Sequence, residues 1–141
     1  MILGRTALVF GKVIERRLAE MGLPLNGRQL GLLTFLSSDD LLIQQDLADI
    51  MCKDKSAVLR IVDSLEEKGF ITRKSDPADR RKKIIVLTPA GNTLLEKARE
   101  IEKEVTSLLQ QGLTAEEVAT FIKVARHIQD KATSHAMEES H

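Results

Sequence analysis

Tryptophan and tyrosine are absent from this chain of 141 residues, and phenylalanine occurs four times. Aromatic and β-branched residues favour strands, so this poverty argues against a sheet-built core and against a pocket walled by aromatic rings. The single cysteine, Cys52, excludes an intrachain disulfide and fits a reducing compartment. No apolar run approaches the length of a membrane span. Arg5 and Lys12 break up the stretch after Met1, so neither a signal peptide nor a membrane partner is expected, and a cytoplasmic protein is. His127, His135 and His141 are too poorly spaced for a metal site, and no nucleophile triad or phosphate loop is visible. The expectation is a protein that is not an enzyme and needs neither metal nor cofactor. Net charge is zero, which excludes a global attraction for nucleic acid.

Helix formers fill the sequence in place of what is missing, and 43% of the residues are hydrophobic, enough to bury a core. The charge is also unevenly distributed. Residues 53–83 hold ten Lys or Arg against six Asp or Glu, a local +4 that the rest of the chain must balance with −4. That pattern suggests one anion-binding face.

Leu3, Ala7, Phe10, Ile14, Leu18 and Met21 recur at steps of three and four, the stripe of an amphipathic helix that Gly22 and Pro24 end. Asn26 with Gln29 forms a capping box for a second, apolar helix through Leu36. Residues 44–51 read as a short third helix. After a turn at 52–53, Asp54 caps a fourth, with Val58, Ile61, Val62 and Leu65 inward and Gly69 as its stop. The period then changes. Phe70–Lys74 and Lys82–Leu87 read as strands around the turn-forming string 75–79. Thr88 and Pro89 start a long helix in which Leu94, Ala98, Ile101, Val105 and Leu108 form a narrow seam, expected to pair with a second copy. Gly112 breaks it. Thr114 and Glu117 box a last helix striped by Phe121, Ala125, Ile128 and Ala132, and the tail after Ser134 is expected to fray.

Two short helices followed by a cationic hairpin form a winged helix-turn-helix. The fold class expected is therefore mostly α with a small β-hairpin wing, flanked by N- and C-terminal dimerisation helices. A helix fits the major groove of duplex DNA, and an arginine-rich tip can reach the adjacent minor groove. The DNA-contacting set is expected to be Lys53, Lys55, Ser56, Ala57, Leu59 and Arg60, with Arg73, Lys74, Asp79, Arg80, Arg81 and Lys82 from the wing.

The sequence resembles the MarR family of bacterial transcription regulators. The residues that carry the resemblance are Leu47-Ala48, Asp54-Lys55-Ser56-Ala57-Val58 with Arg60 and Asp63, Gly69-Phe70-Ile71 and Arg73. It continues through Asp76-Pro77-Ala78-Asp79-Arg80-Arg81 and Val86-Leu87-Thr88-Pro89-Ala90-Gly91. The resemblance implies a homodimer that binds a pseudo-palindromic operator as a regulator, with repression the expected direction. It also implies a small-molecule inducer in many members and thiol oxidation in some, and that the wing aspartate braces the arginine entering the minor groove. Here that pair is Asp79 and Arg81; by the same physical logic, Asp63 on the fourth helix is expected to brace Arg73 and fix the wing base. Family helices often carry Thr-Val-Thr-Arg where this one has Ala57-Val58-Leu59-Arg60, so Leu59 is placed to touch a thymine methyl.

On this reading, residues 1–141 are one domain. Residues 1–25 and 90–134 dimerise through Leu3, Phe10, Leu94, Ile101, Val105, Leu108, Phe121 and Ile128. Residues 26–89 form the winged helix-turn-helix, and 135–141 a frayed tail. Cys52 reads either as an inert turn residue or as a redox switch whose thiol is acidified by Lys53, Lys55 and the helix start. The alternative function is a winged helix that binds protein. Steep salt dependence separates DNA binding from that reading.

Overall fold

Asn26 opens α2 (Gly27–Leu36) as a complete capping box. Its Oδ1 accepts from the Gln29 N–H at 2.9 Å, and the Asn26 N–H donates to Gln29 Oε1 at 3.1 Å. The structure, a computed structural model, describes residues 1–37, 47 and 54–139. Most of the third helix expected over 44–51, together with Cys52 and Lys53, lies outside the described residues. Leu47 is helical and fully buried.

α1 (Ile2–Glu20) precedes α2, and the Glu15 carboxylate accepts from the Gly27 N–H at 2.9 Å, tying the two helices at a start that favours negative charge. α3 (Lys55–Glu67) is capped by Asp54, whose Oδ1 accepts from the Ala57 N–H at 2.7 Å. It ends in a Schellman closure. Gly69, at φ +79°, donates to the Glu66 carbonyl and Phe70 to the Leu65 carbonyl. Phe70 is thus part of the helix end, and β1 runs Ile71–Ser75, one residue later than its sequence predicted. β1 pairs antiparallel with β2 (Lys83–Leu87), with Arg73 opposite Ile85. Lys82 belongs to the tip, where its N–H donates to the Asp79 carbonyl at 3.0 Å. α4 (Pro89–Leu109) starts at Thr88, whose Oγ1 accepts from the Gly91 N–H at 3.1 Å. The Thr114–Glu117 box then opens α5 (Ala115–Glu139).

Two compact units result, Met1–Val105 and Thr106–His141. In the first, one core gathers Ile14 and Leu18 of α1, Leu30, Leu32 and Leu33 of α2, Val58, Val62 and Leu65 of α3, Ile71 and Ile85 of the hairpin, and the inner face of α4. The second holds the end of α4, the turn at Gly112 and α5, whose Phe121, Ile122, Val124 and Ile128 are exposed.

Two sequence expectations change. Leu94, Ala98, Ile101 and Val105, read as a seam for a second copy, are covered by the chain's own core, and only Leu108 of that seam is exposed, at 59%. A four-three apolar spacing marks a buried stripe without saying whose residues bury it. Likewise α5 continues to Glu139 where fraying after Ser134 was expected. Ala, Met and Glu are good helix formers, and neither Gly nor Pro interrupts them. No helix among the described residues is long and apolar enough to cross a membrane.

Candidate nucleic-acid interface

The inner stripe of α3 is consumed by the core, which leaves Lys55, Ser56, Leu59, Arg60 and Asp63 exposed on the other side. Ala57 is partly buried, since its N–H serves the Asp54 cap. Behind the helix a buried polar link fixes its setting. Gln29, 6% exposed, donates from Nε2 to Ser64 Oγ at 3.0 Å, so the capping residue of α2 also holds α3. No buried side-chain polar atom among the described residues lacks a hydrogen-bond partner.

The wing tip is shaped by its acids. Asp76 Oδ1 accepts from the Ala78 N–H at 2.9 Å and Asp79 Oδ1 from the Arg81 N–H at 3.0 Å, both local turns of the aspartate type. The expected brace from Asp79 to the Arg81 guanidinium is therefore not what forms: the carboxylate holds the arginine's backbone instead. Two residues apart on a tight turn, the short Asp side chain reaches the nearby N–H before the end of a long, flexible Arg. Lys74, Arg80, Arg81 and Lys82 stay exposed, and their side chains form no ion pair among the described residues. Lys83 Nζ donates to Ser75 Oγ at 3.1 Å.

Arg73, expected in the DNA-contacting set, is held at the wing base by two carboxylates. Its guanidinium pairs with Asp63, as the sequence predicts, and with Glu66, which it does not. Its side chain is 20% exposed. Burial pulls Arg73 downward, but the hydrogen bonds it donates to Asp63 and Glu66 and their charges outweigh it, holding the guanidinium above its ordinary value. Glu66 was legible in principle. It stands three residues after Asp63, on the same flank of the helix, where a second partner for a fork-shaped cation belongs. Setting this triad aside leaves nine cations against four acids over residues 53–83, or +5, so the free charge belongs to α3's outer face and the tip.

The exposed histidines His127 and His135 sit apart, and no group of His, Cys, Asp and Glu able to hold a metal occurs among the described residues. The arrangement offers hydrogen-bonding and cationic groups for a polyanion.

Residues 25–83 match the model of the MarR family. A protein of Thauera aromatica, described as a transcriptional regulatory protein for the hcr operon, is 39% identical over 61 residues, 43% of this chain and 37% of its own length. A crystal structure of MarR superposes with a TM-score of 0.81 at 30% identity, covering 97% of this chain and 90% of that one. A MarR-family regulator of Listeria monocytogenes complexed with 26mer DNA shares the fold at 18% identity, with a TM-score of 0.82 over 98% of this chain and 91% of that one. Fold, motif segment and near-complete coverage of a 30%-identical relative coincide on one winged helix, and this chain belongs to the MarR family.

Proposed function

We propose that the protein regulates transcription by binding a pseudo-palindromic duplex operator as a homodimer, with α3 in the major groove and the wing in the adjacent minor groove. The observation that carries this reading is the division of charge. The wing-base cation Arg73 is neutralised internally, while Arg60 on α3 and Arg80, Arg81 and Lys82 at the tip are left to solvent. A polyanion is the partner such a surface fits. A family protein of the same fold complexed with 26mer DNA supports it. Residues 26–89 form the reading unit. Dimer contacts come from exposed apolar side chains, Leu3, Leu8 and Val9 on α1, Leu108 and Leu113, and Phe121 and Ile128 on α5. Phe10 is partly buried against the core and contributes less. Operator occupancy blocks transcription in this reading, and a small-molecule inducer releases it.

Selection of duplexes from random or genomic DNA tests the proposal. Recovery of an inverted repeat with half-sites about 10 bp apart, bound two chains per site, is the expected outcome. Recovery of no preferred duplex contradicts it.

A further inference from the structure

Glu66 holds Arg73 at two places. From the last turn of α3 its Oε1 accepts from the Arg73 backbone N–H at 2.9 Å, while its Oε2 pairs with Nη1 of the guanidinium. Asp63, one turn earlier, takes Nη2. On the strand side, Arg73 lies in register opposite buried Ile85, two residues from buried Ile71, so its stem is laid along the core and its head has one direction to go. The bond to the amide matters most. A salt bridge between two long side chains leaves slack, whereas a carboxylate on a main-chain N–H fixes β1 itself against the helix.

We propose that Glu66 is a positioning residue for DNA readout. It sets the span between the exposed face of α3 and the wing tip, so that both meet one duplex in register. The proposal rests on the DNA-binding reading above. A cation already held by two carboxylates releases few counterions from phosphate, so the Arg73–Glu66 pair acts through geometry and leaves the salt dependence to the tip.

The test uses the full-length protein and the duplex it selects, measuring affinity for that duplex and for random DNA across salt. Glu66→Ala should lower the ratio of specific to random affinity about tenfold, the equivalent of one charge-assisted hydrogen bond, with the salt slope unchanged. Protection of the minor groove beside the half-site should weaken with it. Glu66→Gln, which keeps an oxygen for the Arg73 N–H, should recover part of the ratio. In an Arg73→Ala background, where the main-chain N–H remains, Glu66→Ala should still lower the ratio. A wild-type ratio in Glu66→Ala, or equal losses on both DNAs, or no further loss when Glu66→Ala is added to Arg73→Ala, overturns the proposal and leaves DNA binding standing. Should Glu66→Ala fail to fold, Glu66→Met, which fills similar space without an acceptor oxygen, decides, and an unchanged ratio overturns the proposal. If the wild type prefers no duplex, the DNA reading itself fails and takes the proposal with it.

Discussion

A Cβ built on Gly91 would stand 2.0 Å from the carbonyl oxygen of Phe70. That oxygen accepts from the Thr88 N–H at 3.1 Å, and Thr88 Oγ1 donates to the Gly69 carbonyl at 2.7 Å. The start of α4 is thus seated on the corner where α3 becomes the wing, and only a residue without a side chain allows the approach. The contact is backbone to backbone, so a neighbouring rotamer change cannot relieve it. Gly91→Ala should destabilise the fold by about 2 kcal/mol or more, read as a fall in the denaturation midpoint. An unchanged midpoint contradicts the packing described for this corner.

The two kinds of apolar residue on the long helices should respond differently to charge. Val105 lies in the chain's own core, whereas Phe121 is 58% exposed. Val105→Glu should abolish cooperative unfolding, because an unpaired buried charge costs several kcal/mol. Phe121→Glu should leave helical content intact and shift sedimentation from dimer toward monomer. A wild-type monomer at micromolar concentration, or a Phe121→Glu variant that stays dimeric, contradicts the dimer contacts proposed here.

At the wing tip the Asp79 carboxylate acts on the Arg81 backbone. Asp79→Asn retains an oxygen for that N–H and should change DNA affinity little. Asp79→Ala removes a negative charge facing phosphate yet should weaken binding, by about 1 kcal/mol, because the turn that presents Arg80 and Arg81 loosens. Tighter binding by Asp79→Ala in a titration with the operator would show that repulsion outweighs the turn.

Burial raises the Glu102 carboxyl above the ordinary carboxylate range, and Arg99 pulls it partly back. The folded state therefore disfavours the charged form. This penalty is present above the folded-state value and disappears below the unfolded one, about 4.3. Glu102→Gln should be more stable than wild type at neutral pH, and the gap should close as pH falls through the carboxylate range. A gap independent of pH in denaturant titrations contradicts this.

The sequence exposed its elements through local chemistry. The Asn26–Gln29 box, the Asp54 cap, the Gly69 stop and the Thr88–Pro89 start each depend on residues within a few positions, and each forms as read. What it hid depends on distant partners. The stripe from Leu94 to Val105 has the same spacing whether the chain's own core or a second copy covers it. Glu66 is an ordinary helix residue until the chain turns at Gly69 and brings Arg73 back beside it. The types of Asp79 and Arg81 suggest a pair of side chains, yet one of the partners is main chain, to which residue types give no clue.

The dependence of operator affinity on salt is the most direct measure of the central account, that Arg80, Arg81 and Lys82 meet phosphate while Arg73 does not. The logarithm of affinity should fall linearly with the logarithm of salt for the wild-type dimer. Arg81→Ala should shallow that slope by about one per protomer. Arg73→Ala should weaken specific binding with no change in slope. A flat wild-type line, or a slope that Arg73→Ala lowers and Arg81→Ala leaves alone, would contradict the account.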